Sequence, residues 1–181
     1  GDEAVRYALE GGVDVIEHGY GISEETRQKL VDQNAMVVTT ISQLHFHNEA
    51  ADPYHYEEFM KEIFHKHIVQ MKIDFEKNLK IGVKYALGTD LVGYPTHPQD
   101  AAAKEFEMVV NWGMTNTEAI VAGTKISAEA LGMEKDIGTL EKGKLADIIA
   151  VKEDPIKNIK TLQDVKFVLF DGEIVVNKIS D

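Results

Sequence analysis

The alternation of helix and strand patterns over residues 1–133 constrains the fold of this sequence more than any other feature. Three short apolar runs, at residues 13–16, 35–41 and 83–87, are separated by longer segments whose apolar side chains keep helical spacing. Such alternation is typical of a parallel sheet whose strands are joined by helical crossovers. Because three strands are too few to close a barrel, the pattern predicts an α/β fold that is either a small sheet or part of a larger one.

Helix boundaries are marked by local capping signals. Ser23 precedes two acidic residues, and Thr115 stands three residues before Glu118 in the pattern of a capping box. The predicted helices are residues 2–10, 24–34, 57–80, 101–112, a helix from 116, and 127–132. The chain starts on Gly1 without methionine and enters its first helix at once, so we expect it to be the C-terminal portion of a longer protein.

The helix–strand alternation ends at about Ile137, and after it glycines separate short β-like stretches. Two of these stretches flank Asp171-Gly172, and an Asp-Gly pair in that position is a strong signal of a two-residue β-hairpin. The predicted strands are residues 145–151, 166–170 and 173–177. The sequence therefore predicts two domains, residues 1–136 and a smaller β-rich unit at residues 137–181.

Composition narrows the classes of partner and chemistry. The formal net charge of −12 would repel a polyanion, so we expect no nucleic-acid partner. The absence of cysteine removes disulfides, zinc–thiolate sites and thiol nucleophiles, but it does not choose between cytoplasm and periplasm. No apolar run approaches the roughly 18 residues of a membrane span, so we expect no membrane partner. The oligomeric state is left open, a homo-oligomer included.

His18 and Asp90 are the candidate site residues, because each follows a predicted strand. In (β/α) barrels, side chains at the carboxyl ends of the strands face the active site. An imidazole nitrogen and a carboxylate oxygen together suit Zn²⁺ or a similar divalent ion, and an aspartate at such a site can accept a proton from water. The alternative is that His18 is an ordinary loop residue and that Asp90 caps the next helix.

The other histidines give weaker signals. His45 and His47 follow the second predicted strand and would share a face in an extended segment, but both could instead be solvated loop residues. His97 lies in the loop after the third strand and is a candidate substrate contact over the same pocket. His65 and His67 are two residues apart in a predicted helix, so they point in different directions and cannot chelate together.

Several motifs occur together in an order that is similar to one enzyme superfamily. Glu17-His18-Gly19 and Gly88-Thr89-Asp90 each follow a strand, and Gly113-Met114-Thr115 leads into a capped helix. The segment at 137–147, IGTLEKGKLAD, comes next at the expected distance. In this order, and over essentially the whole chain, the sequence resembles the amidohydrolase superfamily. Within it, the sequence is most similar to the imidazolonepropionase-related enzymes and to the group of Xaa-Pro dipeptidases and arginine/lysine carboxypeptidases.

The resemblance implies a (β/α)8 TIM-like barrel joined to a small β-sandwich, with this chain supplying strands six to eight and half of the sandwich. It implies that His18 is the sixth-strand metal ligand and that Asp90 is the eighth-strand ligand and general base. Thr40, at the end of the seventh strand, would lie beside the pocket and contact substrate. One or two divalent ions, with Zn²⁺ the expected metal, are implied for the intact enzyme. The superfamily's first-strand His-x-His, fourth-strand lysine and fifth-strand histidine are absent from this sequence.

The reaction that the resemblance implies is hydrolysis of a C–N bond in an amide, peptide or cyclic amide, with a small molecule or dipeptide as substrate. In the intact enzyme, Asp90 would take a proton from a metal-activated water and pass it to the leaving nitrogen. Two alternatives stay open: an ester or phosphotriester hydrolase on the same scaffold, and a structural fragment without activity. Because several site groups are absent, we expect the isolated chain to be inactive.

Overall fold

The computed structural model describes residues 1–49, 55–91 and 102–179, and helices make up most of the first two of these ranges. The α-helices are α1 (Asp2–Glu10), α2 (Glu24–Asp32), α3 (Ile41–Glu49), α4 (Glu58–Ile81), α5 (Lys104–Asn111), α6 (Asn116–Val121) and α7 (Ser127–Ala130). A π-helical turn at residues 122–126 joins α6 to α7, so the two helices predicted there form one continuous run. None of the helices in the described ranges is long and apolar enough to cross a membrane.

Two of these helices begin at the predicted caps. Ser23 Oγ accepts a hydrogen bond from the backbone N–H of Thr26 at 3.2 Å. Thr115 and Glu118 form the predicted capping box, in which each side chain accepts a hydrogen bond from the other residue's backbone N–H. A polar N-cap stabilises a helix by about 1 kcal/mol, so these local signals fix where α2 and α6 start.

A three-stranded parallel sheet forms the centre of the first 130 residues. Its strands are β1 (Val15–Glu17), β2 (Met36–Val38) and β3 (Lys84–Ala86), in the spatial order β1-β2-β3. Ile16 pairs with Val37, and Val37 pairs with Tyr85 on its other side. The predicted parallel sheet is thus confirmed, although each strand is shorter than its apolar run.

The end of the second strand differs from its prediction. The sequence predicted a strand over residues 35–41, but β2 ends at Val38 and Ile41 already begins α3. Thr40, between them, has a φ of 54°, which no extended strand adopts. Ile41 is apolar because it is fully buried in the core as the first residue of α3. The apolar run in the sequence therefore extends past the end of the strand.

The crossover helices cover the parallel sheet and bury a continuous core. Val37, in the central strand, is completely buried, as are Leu30 of α2 and Val109 of α5. The core also receives Phe75 of α4, whose ring lies 4.7 Å from the ring of Tyr85. Burial of a side chain of this size contributes about 1.5–3 kcal/mol, so helix packing supplies the main stabilisation of the short strands.

A buried polar network links α2, α4 and β3. The guanidinium of Arg27, 1% exposed, donates to the Asp74 carboxylate at 3.0 Å and to the Asn78 side-chain carbonyl at 2.5 Å. Asn78 in turn donates to the Tyr85 hydroxyl at 2.7 Å. The second carboxylate oxygen of Asp74 accepts from the backbone N–H of Gly21 at 2.6 Å. The network therefore fixes the loop that follows β1.

The C-terminal residues form a separate antiparallel sheet. Its strands are β4 (Ile148–Val151), β5 (Val165–Phe170) and β6 (Glu173–Asn177), in the order β4-β5-β6. The hairpin predicted at Asp171-Gly172 is confirmed, and both residues have the positive φ, 49° and 80°, that a type I′ turn requires.

A short 3₁₀ helix, Ile159–Gln163, attaches this sheet to the rest of the molecule. Ile159 is 6% exposed and belongs to the same core as the crossover helices. The carboxylate of Glu107 on α5 accepts a hydrogen bond from Gln163 at 2.9 Å and pairs with Lys160 at 3.3 Å. Since this contact crosses the predicted boundary after residue 136, the division into two domains stays a prediction.

Candidate functional site

Three residues with left-handed backbone conformation follow the three parallel strands. His18 comes directly after β1, Thr40 two residues after β2, and Asp90 four residues after β3, with φ of 67°, 54° and 50°. Because the strands are parallel, all three lie beyond the same edge of the sheet. A positive φ is uncommon outside glycine, and for β-branched threonine it is an outlier that costs about 1–3 kcal/mol. Strain of this kind is concentrated at functional sites, so this edge is the candidate site.

Two glycines let the loops at this edge lie directly on β2. A Cβ atom at Gly19 would stand 2.7 Å from Cγ1 of Val37, and one at Gly88 would stand 2.5 Å from Cγ1 of Val38. Carbon atoms cannot approach this closely, so any larger residue would push His18 or Asp90 away from the sheet. The glycines in the Glu-His-Gly and Gly-Thr-Asp motifs are therefore required by packing.

His18 and Thr40 are in direct contact. The His18 Nδ1 atom lies 2.7 Å from Thr40 Oγ1, and Thr40 is 2% exposed whereas His18 is exposed. The backbone holds both residues, because the His18 N–H donates to the Val38 carbonyl and the Thr40 N–H donates to the Gly88 carbonyl at 2.9 Å. When Nδ1 carries the proton and donates to the hydroxyl, Nε2 keeps a free lone pair. This is the arrangement that a metal-binding histidine needs.

The donor chemistry at this edge fits a divalent cation, but the set is incomplete. His18 offers an imidazole nitrogen and Asp90, which is exposed, offers carboxylate oxygens, and both are ligands that Zn²⁺ accepts. Within residues 1–49, 55–91 and 102–179, no group of three or more His, Cys, Asp or Glu side chains could hold a metal ion. His97, the predicted substrate contact, lies outside these ranges. His18 and Asp90 would therefore supply part of a ligand shell.

Neither interpretation offered for His45 and His47, a shared face in an extended segment or solvated loop positions, is correct. Both lie on α3, where residues two apart point in different directions. His45 Nε2 lies 3.1 Å from the Glu49 carboxylate, and burial lowers the pKa of His45. His47 stacks on the ring of Phe64 at 4.8 Å. Both histidines are engaged within the helical layer.

A cavity of about 400 Å³ lies beside His18. Its lining includes Glu17, His18, Tyr20, His67 and Gln70. The rings of Tyr20 and His67 are 5.8 Å apart, and burial raises the pKa of the Tyr20 hydroxyl. The sequence had given His67 no role, because it cannot chelate together with His65 on the same helix and nothing local shows that α4 passes near the end of β1.

Glu105 is a further residue that sequence reasoning missed. It is 1% exposed, and its carboxylate accepts hydrogen bonds from the Thr39 hydroxyl and from the backbone N–H groups of Ile41 and Ser42. A signal was present in the sequence, since an acidic residue stands on the apolar stripe of α5. That stripe consists of Glu105, Met108 and Val109, and it continues to Trp112 directly after the helix.

Comparison with known proteins places this edge in context. A profile described as the amidohydrolase family matches residues 2–175. Ochratoxinase of Aspergillus niger is 30% identical over 175 residues, which cover 93% of this chain and 34% of that protein. Imidazolonepropionase of Acinetobacter baumannii is 38% identical over 80 residues, which cover 41% of this chain and 19% of that protein.

The fold is also similar to solved structures. The crystal structure of a Xaa-Pro dipeptidase with methionine bound in its active site matches with a TM-score of 0.84 and 34% identity. The match covers 98% of this chain and 43% of the dipeptidase. The chain therefore spans less than half the length of these relatives.

Proposed function

The chain belongs to the amidohydrolase family, and we propose that it forms part of an enzyme that hydrolyses a C–N bond in a peptide, amide or cyclic amide. The observation that carries this proposal is the placement of His18, Thr40 and Asp90 at one edge of a parallel sheet, each in a strained backbone conformation. Relatives whose names denote a dipeptidase and an imidazolonepropionase support the bond class.

His18 and Asp90 are the residues that would hold a divalent cation, Zn²⁺ being the ion we propose, with one or two ions in the intact enzyme. Such a cation, when bound, lowers the pKa of water and polarises a carbonyl group. The His18 ring is oriented by Thr40 at Nδ1, so Nε2 is the nitrogen available to a ligand. Further ligands would come from residues beyond the ranges that the structure describes.

Asp90 acts as the general base. Its carboxylate accepts a proton from the attacking water, whose oxygen forms the new bond to the carbonyl carbon. When the C–N bond breaks, the same carboxyl group returns the proton to the leaving nitrogen, so that atoms and charge balance. Thr40 and His97 stay predicted substrate contacts, and the contact of Thr40 with His18 gives it a second role.

The architecture we propose for the intact enzyme is a (β/α)8 barrel in which β1, β2 and β3 are strands six, seven and eight. The antiparallel sheet β4–β6 is then half of a small β-sandwich. Coverage of 98% of this chain but 43% of the Xaa-Pro dipeptidase supports this assignment. We propose a small molecule or dipeptide as substrate and neither nucleic acid nor membrane as partner.

Replacing Asp90 with asparagine in the intact enzyme tests the proposal. The amide has nearly the same shape but cannot take a proton, so we expect turnover of a dipeptide or cyclic amide to fall by about 10²-fold or more. Steady-state kinetics with Zn²⁺ present measures the change. Asp32→Asn is the matched control, since it removes an exposed carboxylate at the end of α2.

Two outcomes would contradict separate parts of this proposal, the role of Asp90 and the need for further ligands. Full activity of the Asp90→Asn enzyme removes the proposed base. Turnover by the isolated 181-residue chain would show that the ligand set is complete without other residues, whereas we expect none, with or without added metal.

A further inference from the structure

Glu105 is a carboxylate with no access to solvent, and its contacts converge on one turn of the chain. Oε1 accepts from the Ile41 N–H at 2.8 Å and from the Thr39 hydroxyl, and Oε2 accepts from the Ser42 N–H at 2.7 Å. Burial raises the pKa of Glu105, and these hydrogen bonds act in the opposite direction. All three groups that contact the two oxygens are hydrogen-bond donors.

These donors include the free N–H groups at the start of α3. The first N–H groups of a helix have no partner inside the helix, and the helix dipole favours a negative charge beside them. Glu105, more than sixty positions later in the sequence, supplies the cap of α3 from α5. This explains why a buried acidic residue is tolerated on an apolar stripe.

The same contacts enclose Thr40 from both sides. One oxygen of Glu105 holds the Thr39 side chain and the Ile41 N–H, while the Thr40 N–H donates to the Gly88 carbonyl at 2.9 Å. Thr40 is therefore fixed in its left-handed conformation by its neighbours, and that conformation places Oγ1 at 2.7 Å from His18 Nδ1.

We propose that Glu105 is a positioning residue for His18, acting through the backbone of Thr40. The proposal rests on the proposed function only in that His18 there is a metal ligand. A cation can bind His18 Nε2 only when the ring proton is on Nδ1 and the ring is correctly turned. The contacts of Glu105 hold the Thr40 hydroxyl 2.7 Å from His18 Nδ1, where its oxygen can accept a hydrogen bond from Nδ1–H and limit rotation of the ring. Glu105 would therefore favour the tautomer and ring orientation that leave Nε2 free, without touching substrate.

The tautomer of His18 is the direct readout. Long-range ¹H–¹⁵N NMR spectra of the metal-free 181-residue chain give the ratio of Nδ1–H to Nε2–H forms for each histidine. They are recorded about two pH units above the ordinary histidine pKa of about 6.5, where the ring is neutral. We expect the Nδ1–H form of His18 to dominate in the wild type, in contrast to a mixture of the two forms at exposed His55. A dominant Nε2–H form at His18 would overturn the proposal.

Two variants then separate Glu105 from a simple structural residue. Thr40→Val removes the hydroxyl that contacts His18, so it gives the largest change in the ratio of Nδ1–H to Nε2–H forms that this contact can cause. We expect that change to be about fivefold, the effect of one lost hydrogen bond. Glu105→Gln keeps the shape but turns one acceptor into a donor facing N–H groups. We expect it to reproduce most of that change, towards the ratio at His55.

Glu107→Gln is the matched control. It removes a carboxylate two residues away on the same helix, where the partners are Lys104, Lys160 and Gln163. We expect it to leave the His18 ratio as in the wild type. If the Glu105→Gln chain does not fold, Thr39→Val decides, because it removes one of the three hydrogen bonds to Glu105; a shift in the same direction supports the proposal.

An unchanged His18 ratio in folded Glu105→Gln, or in Thr39→Val where that variant decides, overturns the proposal, and so does an equal shift in Glu107→Gln. Because no metal or substrate is present, the result is independent of hydrolysis. If the Asp90 experiment contradicted the proposed function, the tautomer of His18 could still depend on Glu105. If the tautomer did not depend on Glu105, the activity test of Asp90 would still be valid.

Discussion

The parallel sheet and the antiparallel sheet of this chain differ in how deeply their apolar side chains are buried. Ile16 of β1 is 7% exposed and Val37 of β2 is completely buried, whereas Ile174 and Val175 of β6 are 63% and 62% exposed. Both sheets have three strands, so strand number does not explain the contrast. The parallel sheet is covered by the helices that connect its strands, and a hairpin connection brings no such cover.

This contrast places the candidate site on the half of the molecule that carries its own core. The loops after β1 and β2 are held by buried carboxylates, Asp74 for the first and Glu105 for the second. The exposed apolar side chains of the antiparallel sheet are what we expect of half a β-sandwich, whose inner face needs a second sheet. Three substitution experiments test the contrast.

Replacing Asp74 with alanine should have the largest effect on stability. Arg27, 1% exposed, would lose its buried counter-charge and keep only the exposed carboxylate of Glu24, and breaking a buried ion pair in this way costs about 3–5 kcal/mol. Urea unfolding of the chain measures the loss. The comparison is Asp164→Ala beside β5, which breaks an exposed pair with Lys166 of the kind that contributes about 0–1 kcal/mol. Equal losses in the two variants would mean that the regions do not differ.

The same isoleucine-to-alanine substitution in each sheet compares their packing directly. We expect Ile16→Ala to lower the free energy of unfolding by about 2–5 kcal/mol, because it leaves a cavity in the core. Ile174→Ala should change it by no more than about 0.5 kcal/mol, since the side chain is 63% exposed. A large loss for Ile174→Ala in the intact enzyme, but not in the isolated chain, would show that another element covers β6 there.

The smallest expected effect is a pH dependence at the contact between the regions. Burial raises the pKa of Glu107, but hydrogen bonds from Lys104, Gln163 and Lys160 outweigh it, and the pKa falls from 4.5 to about 2. A lowered pKa stabilises the fold above pH 4.5, and this contribution is lost as the pH falls from 4.5 to about 2. We therefore expect unfolding free energies of wild type and Glu107→Gln to converge over that range. A constant difference between them would exclude Glu107 as the cause.

Much of the fold followed from local patterns. The helix starts at Ser23 and Thr115 and the turn at Asp171-Gly172 were predictable, because each depends on hydrogen bonds or dihedral angles within four residues. The placement of His18 and Asp90 was predictable for a related reason, since residues that follow parallel strands lie beyond the same edge of the sheet. Their roles as ligands and base stay predictions.

The start of α3 could not be predicted in this way. Its first N–H groups are capped by Glu105, a contact that spans more than sixty residues and leaves no trace near Ile41. Thr40 lies in a run of β-branched residues that locally favours a strand, and only the enclosing contacts hold it at a φ of 54°. Because α3 was not predicted, the positions of His45 and His47 were not predicted either, and the helix directs their two rings apart.

The amino-acid sequence alone determined the order of the elements other than α3, the parallel and antiparallel sheets, and the position of two candidate residues after parallel strands. Those features depend on short-range periodicity, capping and turn chemistry, which act before distant segments meet. The tertiary structure decided where β2 ends, which residue caps α3, and that Thr40 contacts His18. These depend on burial and on hydrogen bonds between segments far apart in the chain, and a buried carboxylate such as Glu105 has a defined partner only once α5 lies against the end of β2.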